Sequence, residues 1–251
     1  MADHVPPEPT PGIRVAEVSW PVLEAQLARG AVAVLPVGAA SKEHGRHLPM
    51  NTDLVQAEWL ANRLLQQANV AVWPTVGYGY YPAFVDYPGS TSLTETTFTA
   101  LVVEILGAIR HAGAQRVLLL NTGISTIEPL EAAIGRSRGF EVLQLVNVYA
   151  GPRYRTSAAE LVEQPRGGHA DELETSIMLA IAPEKVDMSR AETCSGTVIR
   201  GRLQRADPQT TGYSPSGVYG DPTLASADKG RRLADAMLAD ALAEFESIHA
   251  R

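Results

Sequence analysis

Four short apolar runs, at residues 31–37, 70–74, 117–120 and 142–148, constrain this chain more than any other feature. A strand that is apolar on both faces has no solvent side, so it belongs in a sheet covered by helices above and below. Segments of helical period separate the runs. Residues 20–29 follow Ser19, a residue suited to cap a helix, and carry Pro21 in the first turn. Thr52 or Asp53 could cap a second helix that runs to about Gln67. After Thr94, the positions Phe98, Leu101, Val102, Ile105, Leu106 and Ile109 make one apolar stripe, which Gly113 ends. Shorter helices are expected at 126–138 and Glu172–Ile181, the latter stopped by Pro183, and a long amphipathic one at 225–248. The alternation predicts an α/β protein: a three-layer α/β/α arrangement with a mostly parallel sheet. The acidic, proline-rich residues 1–12 read as a disordered leader, and residues 13–251 as a single domain.

Composition narrows the function classes. A net charge of −7 argues against a broad nucleic-acid groove or an anionic membrane surface as partner. No apolar stretch approaches the roughly 20 residues that span a bilayer, and the N-terminus lacks the basic-then-apolar pattern of a secretory signal. The single cysteine, Cys194, has no intrachain disulfide partner and fits a reducing compartment. A cytoplasmic protein acting on a small molecule is the expectation.

In open parallel sheets, ligands bind beyond the C-terminal ends of the strands. The densest polar cluster lies there, after the first long strand: Ser41-Lys42-Glu43-His44-Gly45-Arg46-His47 and on to Asp53. Imidazole and carboxylate groups at 44, 47 and 53 offer nitrogen and oxygen ligands to Zn or Mn, although Asp53 could equally do no more than cap a helix. A second cluster, Gly167-Gly168-His169-Ala170-Asp171-Glu172-Leu173-Glu174, opens a helix. Glu172 and Glu174, two apart, point in different directions, and either could simply favour the helix dipole. A third, Tyr78-Gly79-Tyr80-Tyr81 with Asp86-Tyr87-Pro88-Gly89, is long enough for a pocket wall. Arg153, Arg155 and Arg166 precede His169, where they could bind a carboxylate or phosphate or serve as solvated loop residues. No Walker loop, GxGxxG or GxSxG motif is present.

At these clusters the sequence resembles the creatininase (creatinine amidohydrolase) family, which also includes formamide hydrolases of flavin and deazaflavin synthesis and the mycofactocin precursor peptidase. Leu35-Pro-Val-Gly38 with Lys42-Glu43-His44-Gly45-Arg46-His47-Leu48-Pro49 and Thr52-Asp53 is similar to the family's first block. Tyr87-Pro88-Gly89-Ser90-Thr91-Ser92 resembles the second, His169 to Leu179 the fourth, and Gly217 to Ser226 a late block. The resemblance spans about residues 15–245 and implies the creatininase-like fold. It also implies a homo-oligomer, a hexamer, and catalysis by two divalent metals that polarise an amide carbonyl. Carried over, His44 and Asp53 are metal ligands, but the family's glutamate two residues before that histidine is Lys42 here. The third block, NGHGGN or NGHYEN in the family, is Asn121-Thr122-Gly123-Ile124-Ser125-Thr126, so Gly123 replaces a ligand histidine and Ser125 an acidic ligand.

The resemblance therefore implies an enzyme with a degenerate centre, holding one divalent metal (Zn, Mn or Fe) or none. It would act on a C–N bond of a small polar substrate: an amide, formamide or cyclic amide. Lys42, His169 and Glu174 are the candidate catalytic residues, His44 and Asp53 the metal ligands, and Tyr80, Asp86 and Ser125 the substrate contacts. A Lys42 ammonium paired with Asp53 would occupy a vacated metal position; an unpaired Lys42 could act as an amine nucleophile. Two alternatives stand beside this reading. One is a metal-independent lyase, isomerase or cyclase that uses Lys42 and His169 for proton transfer. The other is an inactive family member serving as a binding or assembly subunit.

Overall fold

Alternate residues of the central strands point into two separate apolar layers. Val32 and Val34 meet Leu60, Leu118, Leu120 and Met237 on one face, while Ala33, Leu35 and Val37 meet Phe98, Leu106 and Leu119 on the other. In this computed structural model, which describes residues 12–194 and 202–249, that division defines three layers. The middle layer is β1 (Ile13–Arg14), β2 (Val32–Val37), β3 (Val70–Val72), β4 (Arg116–Asn121) and β5 (Val142–Asn147). They pair in the order β1-β3-β2-β4-β5, and every neighbouring pair is parallel. Helices α3 (Glu95–His111) and α4 (Ile127–Arg136) supply Phe98, Leu106 and Leu130 to one face. Helices α2 (Thr52–Gln67), α6 (Glu172–Ile181) and α7 (Ala227–His249) supply Leu60, Ile177 and Met237 to the other. The α/β/α sandwich read from the apolar runs is the fold found. The proline-rich leader lies outside the described residues, apart from Gly12.

Pro36 stands inside β2, where a missing N–H would normally break a ladder. Here the Pro36 carbonyl accepts from Val76 N, beyond the end of β3 at Val72, so its nitrogen faces a side where no strand requires a donor.

The chain turns one way from β2 to β3 and the other way to β4, so the loops after β2 and β4 splay apart at their C-terminal ends. The polar residues of both loops collect in that crevice. Gly38 lets α2 start close by: a β-carbon there would lie 2.5 Å from the Asp53 carbonyl oxygen, which also accepts from Thr122 Oγ1 at 2.8 Å.

Two expectations change. The cap of α2 is Asn51, not Thr52 or Asp53, which frees the Asp53 side chain for the site. Residues 152–161, read as loop, form α5 (Pro152–Leu161), with α1 (Trp20–Ala28) as anticipated. The N-terminus of α5 is satisfied from a distance: the buried Asp240 carboxylate on α7 accepts from Arg153 N at 3.2 Å and Tyr154 N at 2.9 Å. A cap supplied 86 residues away leaves no local signal.

Helix α6, which carries the second polar cluster, is held against α7 by a close approach and a buried ion pair. A β-carbon at Gly230 would fall 1.7 Å from the Ser176 carbonyl oxygen. Beside it, fully buried Glu172 accepts from Lys229 Nζ at 2.6 Å and from the Gln164 amide at 2.8 Å. We expect Gly230→Ala to overpack this contact by about 1–3 kcal/mol, more than the roughly 1 kcal/mol that helix propensity returns. The urea midpoint should fall; a raised midpoint would show that α7 has room to spare.

Candidate active site

The crevice collects three groups of residues. Lys42, Glu43 and His44 come from the loop after β2 and Asp53 from the first turn of α2; Tyr81 and Phe84 come from the loop after β3, and His169 and Glu174 from the start of α6. Asp171 caps α6, accepting from Leu173 N at 3.0 Å and Glu174 N at 3.1 Å. Glu172 and Glu174 do diverge, the first towards Lys229 and the second into the site.

Asp53 is the hub. Its Oδ2 lies 2.7 Å from Lys42 Nζ and its Oδ1 3.0 Å from His44 Nε2. All three residues are nearly fully buried. Burial by itself would push the Asp53 carboxyl up, but the charge of Lys42 and then that of His44, with their hydrogen bonds, hold it well below the usual carboxylate range. The Lys42 ammonium also lies 5.0 Å from the centre of the Phe84 ring.

His44 has a fixed orientation. Its Nδ1 is 2.9 Å from the Lys42 carbonyl, which can only accept, so Nδ1 carries a proton. Nε2 then faces Asp53 Oδ1 and, at 3.7 Å, Glu174 Oε1. A neutral imidazole would turn a lone pair towards two carboxylate oxygens. The geometry calls for a proton or a metal ion there, and a backbone-anchored Nδ1–H is a common support for a metal-binding histidine. His44, His169 and Glu174 each offer a ligand atom, all within 4.8 Å of one another.

His169 Nε2 lies 3.0 Å from Glu43 Oε2, and its ring packs 4.3 Å from Phe84 and 5.1 Å from His44. Burial opposes a charge on His169, but the Glu43 carboxylate, by charge and hydrogen bond, more than offsets it and raises the pKa. Glu43, displaced one position from the family's glutamate, points elsewhere, as that shift implies: it supports His169. Its carboxylate sits against Gly217, where a side chain would collide with it, so the late glycine-rich block matters as a floor for Glu43.

Beyond the hub opens a cavity of about 730 Å³, walled by Phe84, Ile124, Tyr149, Tyr154 and Leu203, with Lys42, Asp53, His169 and Glu174 at its base. Ser125 lines it; Tyr80 lines a small recess behind Lys42 instead. Asp86 is drawn away, paired with Arg202 at 3.0 Å, and is not among the cavity walls. Of the three arginines before His169, Arg153 pairs with Asp240, Arg155 is exposed, and Arg166 alone lines the cavity.

A parallel sheet whose switch-point crevice gathers carboxylates, imidazoles and an ammonium is an α/β frame around a polar centre. Similarity to known proteins gives the kind. A family model described as creatinine amidohydrolase matches residues 16–245, and the chain belongs to that creatininase family. The creatinine amidohydrolase of Pseudomonas putida is 30% identical over 194 residues, covering 70% of this chain and 74% of that protein. The mycofactocin precursor peptide peptidase of Mycolicibacterium smegmatis is 26% identical over 216 residues, 80% of this chain and 79% of that one. A solved structure described as "Creatininase Mn" superposes with a TM-score of 0.79 at 25% identity, covering 94% of this chain and 99% of the other. These relatives are hydrolases, and creatininase structures are known in Mn and Zn-Zn forms.

Behind the hub, His47 hydrogen-bonds Thr175 Oγ1 over 2.8 Å, while its buried Nδ1 meets no partner among the described residues. Burial lowers its pKa from 6.5 to about 4, against the pull of Glu174 and Glu43. The folded form therefore binds fewer protons than the unfolded chain between those values, and stability should fall as pH drops from 6.5 towards 4. His47→Gln should flatten that part of the stability-versus-pH curve, measured by urea unfolding; an unchanged curve would assign the acid sensitivity elsewhere.

Proposed function

We propose that this chain hydrolyses a C–N bond of an amide, formamide or cyclic amide, at a centre that holds one divalent ion where its relatives hold a pair. The observation that carries this reading is the Lys42 Nζ–Asp53 Oδ2 contact of 2.7 Å. The ammonium takes one carboxylate oxygen of the residue that the family resemblance makes the bridge between two metals. Gly123 and Ser125, where the family has two further ligands, offer no imidazole or carboxylate.

The remaining donors suit a single ion. His44 and Glu174 converge with His169 in reach, and Asp53 Oδ1 lies 3.0 Å from His44 Nε2, a nitrogen-and-oxygen set suited to Zn, Mn or Fe. When bound, a divalent ion supplies acidified water and charge neutralisation among close carboxylates. The protein's own residues account for the rest. Lys42 provides a fixed positive charge beside the reacting carbonyl. Glu174, held by the Ala170 amide at 2.7 Å, accepts a proton from the attacking water. His169, oriented by Glu43, delivers a proton to the departing nitrogen. Water thus adds across the C–N bond: its oxygen and one proton stay with the carbonyl carbon, and the other proton leaves with nitrogen. The reading is of a cytoplasmic homo-oligomer with a small-molecule substrate and no nucleic-acid or membrane partner. Among the described residues, no helix is long and apolar enough to cross a membrane.

The experiment is turnover of a panel of formamides, cyclic amides and short peptides. We expect hydrolysis that chelator treatment abolishes and Zn or Mn restores. Lys42→Gln should lower kcat by about 100-fold or more, the scale of removing one charge-stabilising group, while Lys42→Arg, which keeps the charge, should lose less. Turnover that survives metal removal would favour the metal-independent lyase, isomerase or cyclase, and no turnover at all the inactive subunit.

A further inference from the structure

Beside Lys42 lies a recess of about 20 Å³, room for about one water-sized group. Val37, Gly38, Tyr81, Asn121, Gly123 and Thr126 are among its walls, and it shares Lys42, Asp53, Ile124 and Ser125 with the large cavity. The recess thus adjoins the large cavity. Part of its space exists because position 123 has no side chain: a β-carbon there would already lie 2.7 Å from Thr126 Oγ1.

Two buried donors face this space without matching acceptors. Tyr81 is only 2% exposed, and the Gly79 backbone acts on its phenol oxygen, but among the described residues its O–H finds no acceptor. Among the described residues, the Lys42 ammonium meets one acceptor, Asp53, which leaves two of its three N–H bonds uncommitted. The Asn121 side chain is already occupied: its amide donates to Gly123 O at 2.6 Å, and its oxygen accepts from Thr126 Oγ1 at 2.8 Å. A buried, unpaired donor is costly, and two such residues lining a one-atom space define what belongs there. That is an oxygen that only accepts, and best of all one carrying negative charge.

We propose that Tyr81 and Lys42 form an oxyanion pocket, and that the recess receives the carbonyl oxygen of the substrate. The inference rests on the hydrolytic reading above and adds a catalytic residue to it. As water attacks the carbonyl carbon, the C=O electron pair moves onto that oxygen, which gains a full negative charge between the phenol O–H and the ammonium. Collapse returns the pair, re-forms C=O and breaks C–N. Donors already in place and shielded from water stabilise that charge without rearranging. Tyr81 is fixed at both its backbone and its ring. Its amide donates to Ser92 Oγ at 2.9 Å, and its ring packs with Phe84 and Tyr87.

The test is Tyr81→Phe, which removes one oxygen and leaves the packing. We expect kcat on the best amide of the panel to fall by about 100-fold, with KM within about twofold. Metal content and melting temperature should stay unchanged, because no acceptor among the described residues loses a donor. Full retention of kcat would mean that the recess holds only a trapped water, and would overturn the proposal. So would a lowered melting temperature together with a proportional loss of active protein, which would make Tyr81 merely structural. If the wild type hydrolyses no amide, the hydrolytic reading has failed, and the pocket is tested by itself with formate as the oxyanion probe. Calorimetry should then show formate binding to the wild type and at least tenfold weaker binding to Tyr81→Phe; equal affinity would overturn the pocket.

Discussion

The buried ion pair between Lys42 and Asp53 is the interaction on which the rest of the site depends. Taking an ammonium and a carboxylate out of water costs several kcal/mol per ion, and attraction offsets this only in good geometry with the remaining valences satisfied. Asp53 meets that condition, accepting from Lys42 on one oxygen and facing His44 on the other. Lys42 does not meet it among the described residues, where Asp53 is its one acceptor. A pair left half-satisfied in this way is poor for stability and well suited to binding something. The same pair fixes the electrostatic sign of the crevice, since without the ammonium Asp53, Glu174 and Glu43 would crowd three carboxylates around two imidazoles.

Position within the fold then decides what each group can do. The switch point between β2 and β4 brings the Lys42 loop and the Gly123 loop together, so the lysine reaches the space that a smaller third block leaves open. Helix α6 brings His169 and Glu174 from the opposite side, and it is positioned from behind by α7 through Gly230 and the Lys229–Glu172 pair. Substitutions in that contact, far from the chemistry, would move two of the candidate catalytic groups at once.

Much of this was legible in the sequence. Apolar runs of strand length pointed to the parallel sheet, because a strand covered on both faces leaves no choice of architecture. His44, Asp53, His169 and Glu174 stood out as polar residues at strand ends and a helix start, and all four converge. What stayed hidden was set by contacts between distant segments. Helix α5 depends on Asp240 from another element. The partners of Glu43, Gly217 and His169, lie far along the chain and give its position no local sign. Asp86 looked like a pocket residue but is held by Arg202. Tyr81 differs from Tyr78 and Tyr80 only in its surroundings: burial within the Phe84 and Tyr87 cluster and an unpartnered hydroxyl, neither of which leaves a mark on spacing.

If the Lys42 ammonium stands where a relative would bind a metal ion, metal content per chain reports it most directly. The measurement is mass spectrometry of protein purified without chelators or affinity metal, for the wild type and for a Lys42→Glu, Gly123→His double variant. About one ion is expected in the wild type and about two in the double variant, in which the Thr126 side chain must turn aside for the new imidazole. Two ions in the wild type would contradict the account, because both would then have to bind with Lys42 still occupying Asp53.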